Sequence, residues 1–268
     1  MNKKALFTAA LLLSINSTAV FAADLGKGVR AFENQDYAAA KKELTPLAEE
    51  GNADATNLLG QMHENGWGVD QNVEEAKRLY TKGANIGHLD SVNSLRALKN
   101  KEYQLELKTV RPAAEAGDAG AMARLGMMNE FGYGLKRNPD LAFSWYSKAA
   151  ESGLVAAKHH IGRAYNFGTG VAQDFAAAER WYLQAAKQGY TQSLFFLGTL
   201  YSNDHGSDKS HDSNVAAYAW MHNAAQLGND TAQAIEQRLI MKLSESDLAS
   251  AKSLADKYFQ QYVASSTK

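Results

Sequence analysis

Apolar residues recur along this chain with the spacing of helices that bury one side. Ala55, Leu59 and Met62 stand at i, i+4 and i+7, and the same triplet returns as Ala121, Leu125, Met128, as Ala157, Ile161, Ala164 and as Ser193, Leu197, Leu200. That spacing places each triplet on one helix face, which predicts a buried face. A second stripe follows: Ala142, Trp145, Tyr146, Ala149 and Ala150 reappear as Ala178, Trp181, Tyr182, Ala185 and Ala186. Large aromatics alternating with alanines at i, i+3, i+4, i+7 and i+8 predict a second amphipathic helix packed back on the first. Gly87, Gly153, Gly189 and Gly228 stand where this second helix ends, as left-handed C-terminal caps require.

The two helices form a unit that the chain copies. Residues 53–88, 119–154 and 155–190 align without a gap, and 191–229 is a looser copy with three extra residues. Two shorter copies, 66 residues apart, begin at Val29 and Leu95, within 29–52 and 89–118. A single helical hairpin cannot bury both faces, so neighbouring hairpins must stack, which makes an all-α solenoid. Gly60, Gly126, Gly162 and Gly198 sit inside the first helices, where glycine costs ~1 kcal/mol relative to alanine. Close approach of another helix is the expected compensation. Residues 244–262 read as a terminal capping helix: Ser244 and Asp247 make a capping signal, and Leu248, Ala251, Ala255, Tyr258, Phe259 and Tyr262 form one stripe.

Between the two helices of each long unit lies a glycine pair: "ENGWGVDQN", "EFGYGLKRN", "NFGTGVAQD". No Lys-Ser/Thr follows and no strand precedes, so neither a phosphate loop nor a dinucleotide fingerprint is supported. The pair is read as a structural turn. The string "LG-x-M-x-E-x-G-x-GV" followed by "A-x-x-WY-x-KAA-x-x-G" resembles the Sel1-like repeat family, a TPR-like group, over nearly the whole chain after its leader. The resemblance implies a right-handed α-solenoid of stacked hairpins over 23–243. "AYAWMHNAAQLGNDTAQ" and "KLSESDLASAKSLADKYF" resemble the closing segment of exported bacterial members.

The N-terminus changes the picture of where such a scaffold works. "MNKK" followed by "ALFTAALLLSINSTAVFA" reads as a signal peptide, residues 1–22, with cleavage after Ala22 and a mature start at Ala23. A periplasmic location is expected, with secretion as the alternative. Residues 263–268 are expected to be a disordered tail. The net charge is −1, with 28 basic and 29 acidic residues, which lacks the basic footprint of a nucleic-acid binder. No second apolar stretch of membrane length follows the leader. Cysteine is absent, so disulfides, thiolate catalysis and thiolate metal sites are excluded.

Candidate chemistry is sparse. Asp204, His205, Asp208, His211 and Asp212 crowd an insertion in the loosest unit, which is read as a solvated polar loop, a metal site being the competing reading. His159 and His160 are helix neighbours pointing apart. Trp145, Trp181 and Trp220 share one column and are assigned to packing. Some exported Cys-rich Sel1-like proteins are associated with binding or hydrolysing penicillin, which implies a cell-wall or β-lactam-acting hydrolase as the alternative function. This chain departs from them in having no cysteine, and its one Ser-x-x-Lys, Ser265 to Lys268, lies in the tail. No cofactor motif and no catalytic constellation is assigned.

What varies over a fixed scaffold is a line opposite the Ala-Leu-Met face: Asn57, Gln61 and Glu64, then Ala123, Met127 and Glu130, then His159, Arg163 and Asn166, then Phe195, Thr199 and Ser202. These positions are expected to be open and to contact a protein or peptide. Trp67 and Tyr133, between the paired glycines, are added as aromatic anchors, packing of Trp67 against the next repeat being the competing reading. The expectation is a non-enzymatic interaction scaffold. The resemblance broadens the partner: similar exported proteins serve in flagellar motor assembly, sensor-kinase regulation, polysaccharide export and host contact.

Overall fold

A computed structural model describes residues 23–264. The segment expected to be a signal peptide, residues 1–22, and Ser265 to Lys268 at the end of the expected tail lie outside the described residues. Thirteen helices and no strand occur among those described: α1 (Leu25–Glu33), α2 (Tyr37–Glu49), α3 (Ala53–Asn65), α4 (Val73–Asn85), α5 (Leu89–Glu115), α6 (Ala119–Phe131), α7 (Pro139–Glu151), α8 (Val155–Phe167), α9 (Phe175–Ala186), α10 (Gln192–Ser202), α11 (Ser213–Gln226), α12 (Asp230–Ile240) and α13 (Glu245–Tyr262). The four long copies are the hairpins α3/α4, α6/α7, α8/α9 and α10/α11. The chain divides into two compact units, up to Lys99 and from Asn100 onward.

Short polar residues start most helices. Asn52, Asn72, Asp118, Asn138, Asp174 and Asn229 each accept a hydrogen bond from the backbone N–H three residues on. Each satisfies a donor that the first helical turn leaves without a partner. Ser244 does the same for α13 from Asp247, whose carboxylate accepts the serine hydroxyl in return at 2.6 Å.

The paired glycines are a turn with two separate requirements. Gly66, Gly132 and Gly168 close the first helices at φ of 73°, 75° and 64°, in the left-handed region that disfavours a Cβ. Gly68, Gly134 and Gly170 also have positive φ, and there is no room beside them: a Cβ would meet the main chain or Cβ of Tyr37, of Tyr103 and Gln104, and of Pro139 and Asp140 respectively. The loop therefore seats each hairpin on the backbone of an earlier helix, at the start of α2 and of α7 and midway along α5.

The helix-interior glycines have the close neighbour the pattern demanded. A Cβ on Gly60, Gly126 or Gly162 would lie 2.5, 2.7 and 2.6 Å from the rings of Tyr80, Tyr146 and Tyr182. In the fourth copy Met221 replaces the ring against Gly198. The Ala-Leu-Met face is buried at every position but Ala121, which is half-buried.

In the first unit Ala40, Leu44, Ala55, Leu59, Met62 and Leu79 form one core and Ala76, Tyr80 and Leu98 another. In the second, the largest core joins Tyr182, Leu194, Leu197, Trp220 and Met221 to Ala251, Leu254 and Tyr258 of α13. Tyr258 stacks on Trp220 at 4.2 Å, so α13 closes the end of the array as expected. Trp220 alone of its column is core; Trp145 and Trp181 are half-buried, Trp145 under the Lys148 ammonium at 4.5 Å. At the end of the described chain Val263, assigned from sequence to the tail, is 3% exposed.

One copy departs from its twin. The first short copy turns at Gln35, φ 61°, and restarts at Asp36, which caps α2 through the N–H of Ala39. Its duplicate has no turn, because Leu89–Glu115 is a single 27-residue helix. Lys101 and Glu102 occupy the places of Gln35 and Asp36. Both are good helix formers, and neither offers the short side-chain acceptor that starts a new helix.

Candidate partner-binding surface

The residues expected on the open line fall into different environments, and each unit is taken by itself. In the first unit, Asn57 and Gln61 of α3 line a cavity of about 420 Å³ with Leu25 and Val29 of α1, Asp54 and Leu58 of α3, and Asp90, Asn93 and Ser94 of α5. Asn57 is only 5% exposed, and its side-chain Oδ1 has no hydrogen-bond donor. Glu64 accepts the hydroxyl of Tyr80 at 2.8 Å. The buried tyrosine is pushed well above its ordinary value by desolvation and then by that carboxylate. Trp67 stacks on Tyr37 at 5.3 Å and meets Phe32 edge-on at 5.9 Å, yet remains 37% exposed.

In the second unit the equivalent of Glu64 is Glu130, which accepts from Tyr146 at 2.7 Å and faces the Arg163 guanidinium at 3.6 Å. Met127 is half-buried, its sulfur 3.3 Å from Arg124, which also grips Glu106 through two nitrogens at 2.6 and 2.7 Å. Tyr133 stacks on Tyr103 at 4.5 Å, in the way Trp67 stacks on Tyr37. Phe195 packs edge-on to Phe196, and Thr199 donates its hydroxyl to the Phe196 carbonyl.

Three positions contradict the expectation of an open line: Asn57, His159 and Asn166 are buried, at 5%, 3% and 8% exposure. The reason is that a first helix in a stack touches more than its own partner. His159 meets the Tyr182 ring of α9, Tyr190, and Phe196 of α10, and its Nδ1 lies 3.0 Å from the Ser193 hydroxyl. Asn166 sits toward Tyr182, whose hydroxyl pKa is raised by burial. The truly accessible strip is thus narrower than a helical wheel suggests.

Burial sets the charges here. His159 is pushed down to about 3 by desolvation, with His160 and Arg163 adding repulsion. His160 is pushed to about 4 by desolvation, with Glu130 opposing the shift and Arg163 reinforcing it. The two imidazoles stand 5.9 Å apart at 70°, His160 lying flat against Tyr146, so they share no ligand position. The Ser193 and His159 pair has the elements of a nucleophile and base, but a buried hydroxyl offers a substrate no approach.

The 204–212 insertion is tied down rather than merely solvated. Glu179 accepts from the Tyr201 hydroxyl at 2.7 Å and the Ser207 N–H at 2.8 Å, Asp204 pairs with Lys209, and Asp208 takes the Ser210 hydroxyl. His205 lies flat on Phe175 at 3.8 Å. Among the described residues no group of three His, Asp or Glu side chains is placed to hold a metal.

Asp54, Asp90 and Asn93 were not among the sequence-selected residues. Their signal was present as an Asp-x-x-Asn repeated after 36 residues, "DATN" at 54–57 and "DSVN" at 90–93. The second copy, at 90–93, lies ahead of Leu95, where the likeness between the two short copies begins.

Repeated helical hairpins seated by glycine turns and closed by a terminal helix define a helical-repeat protein. The chain belongs to the Sel1 repeat family, whose model matches residues 53–88, 119–154, 155–190 and 191–229, just over half the sequence. Among solved structures it is similar to a protective antigen present in uropathogenic Escherichia coli strains that displays an SLR fold. That similarity is 27% identity at a TM-score of 0.54, over 90% of this chain and 54% of that one. The chain thus spans about half the length of that relative. It is also similar to a Sel1 repeat protein from Oxalobacter formigenes, 28% identical over 79% of this chain and 88% of that one, TM-score 0.45. No functionally curated protein matches the chain. No helix among the described residues is long and apolar enough to cross a membrane.

Proposed function

We propose that this protein is a non-enzymatic scaffold that binds a protein or peptide on the inner positions of its first helices, in the periplasm or outside the cell. The observation that carries the reading is the contrast between a repeated packing framework and the variable residues beside it. Glycine, tyrosine and the Ala-Leu-Met face recur from copy to copy, while Gln61 gives way to Met127, Arg163 and Thr199 at the partner-facing place. A framework that stays constant under a changing surface suits recognition. The basic N-terminus followed by an apolar run, read as a leader, is what supports export.

A photoreactive residue at Gln61 or Arg163, followed by mass spectrometry of crosslinked products in living cells, tests the reading. One discrete partner at either position is expected, from a mature chain beginning at Ala23. Turnover of a β-lactam or peptidoglycan fragment, lost on substituting one Ser, His or Glu while the fold survives, would overturn it.

A further inference from the structure

The cavity of the first unit is built from a repeated pair of residues. Asp54 and Asp90 are each the second residue of their helices, α3 and α5, and Asn57 and Asn93 follow one turn later. All four line the same space of about 420 Å³, with Leu25 and Val29 forming an apolar wall opposite. No lysine or arginine lines it. His88 ties the two helices together at one end, its Nε2 3.0 Å from Asp54 and its Nδ1 2.9 Å from the Ser91 hydroxyl. Among the described residues the side chain of neither Asp90 nor Asn93 has a hydrogen-bond or ion-pair partner.

An aspartate in a first helical turn is favourable on its own account, since it meets the positive end of the helix dipole. That accounts for Asp54 and Asp90 but not for the asparagines. Asn57 is 95% enclosed by the measure of its 5% exposure, and its Oδ1 has no donor. A sealed carbonyl without a donor costs about 1–3 kcal/mol. In the second unit the places of Asn57 are taken by Ala123 and His159 and those of Asp54 by Gly120 and Ala156. The Asp and Asn pair is therefore no requirement of the hairpin.

We propose that this cavity docks an extended basic segment of a partner protein, with two Lys or Arg side chains three residues apart answering Asp54 and Asp90. The spacing follows from geometry. Packed helices lie ~8–10 Å apart, and a polyproline-II strand advances ~3.1 Å per residue with three residues per turn. Such a strand crossing α3 and α5 presents the same face at every third residue, about one helix spacing on. The exposed carboxamide of Asn93 matches the donor and acceptor edge of a peptide bond, and Leu25 and Val29 take the stems of the long basic side chains. This inference rests on the scaffold reading and names the partner's chemistry.

The test uses the mature chain from Ala23 and three labelled proline-rich peptides, read by fluorescence anisotropy. One carries two lysines three residues apart, one has glutamates there, and one has the lysines adjacent. Only the first is expected to bind tightly, with affinity falling as salt rises. Asp90→Asn and Asn93→Ala, which remove groups with no internal partner, should each weaken it about tenfold, the loss of one charge-assisted or peptide-pairing contact. Asp140→Asn, at the same first-turn position of α7, should leave it unchanged, and unaltered circular dichroism shows each variant folded. Equal binding of the lysine and glutamate peptides, binding of none, or insensitivity to Asp90→Asn would overturn the proposal. If the peptides fail while crosslinking at Gln61 or Arg163 still captures a discrete partner, the cavity assignment falls and the scaffold stands. If crosslinking fails as well, both fall.

Discussion

Gly126→Ala should destabilise this protein, against the usual direction of that substitution in a helix. Alanine is favoured over glycine by about 1 kcal/mol in an open helix interior. Here a new Cβ would lie 2.7 Å from Cε1 and 2.8 Å from Cδ1 of Tyr146. That ring has nowhere to go: it is 2% exposed, its hydroxyl is held by Glu130 at 2.7 Å, and His160 lies flat against it at 4.5 Å. Overpacking of this kind costs about 1–3 kcal/mol, and a displaced hydroxyl forfeits a bond to a charged group worth about 1.5–3 kcal/mol. The net effect is a loss of about 1.5–5 kcal/mol, or several degrees or more in Tm at ~2–4 °C per kcal/mol for a chain of this size. Urea titration followed by circular dichroism, run in the parent and in Tyr146→Ala, gives the decisive comparison. With the ring removed, the same Gly126→Ala change should become stabilising. A raised midpoint in the parent background would refute the close-approach account of these glycines.

At the seams, Gly170→Ala should cost more than Gly153→Ala: both have positive φ, 72° and 91°, but the Pro139 carbonyl occupies the space beside Gly170 while nothing lies near Gly153. The second should lose about 1–2 kcal/mol from backbone strain alone, and equal denaturation midpoints would contradict the seating role of the loop. Acid should weaken the fold through His159 and His160, whose native pKa values are pushed down to about 3 and about 4. The unfolded chain takes up protons near 6.5 that the native chain refuses, so stability falls as pH drops from about 6.5 toward 4, by at most about 1.4 kcal/mol per unit for each histidine. His159→Gln should flatten that slope in a pH series of denaturation midpoints. A chelator should leave Tm unchanged; a fall in Tm that disappears on replacing His205 and His211 would reassign the 204–212 loop as a metal site.

The hairpins, the glycine turns and the capping helix were legible because each has a local cause that repeats. Left-handed glycines, short polar caps and apolar spacing leave their mark in every copy. The uninterrupted α5 was hidden because similarity to residues 29–52 is a statement about ancestry, whereas the turn depends on two residues, Gln35 and Asp36, that the duplicate replaced with Lys101 and Glu102. The open line was overdrawn for a different reason. Periodicity identifies which residues share a face, but the number of helices packed around that face is a tertiary fact. Asn57, His159 and Asn166 were thus placed in solvent when neighbouring helices and rings covered them. Glu64 and Glu130 were selected as surface residues and turn out to be the acceptors for the core tyrosines Tyr80 and Tyr146.

The second glycine of each turn rests largely on main chain, and the residues it meets differ every time: Tyr37, then Tyr103 with Gln104, then Pro139 with Asp140. A joint made against peptide backbone accepts whatever side chains the neighbour carries. A gene for such a protein can therefore gain or lose a whole hairpin by unequal recombination without having to redesign the joint that receives it. The surface residues travel with each copy and drift afterwards, free of the joint's demands. The same joint makes out-of-register splices lethal to the fold, since a side chain would then arrive where only glycine fits. Lengthening by intact modules, followed by divergence of what they display, is the evolutionary path this turn leaves open.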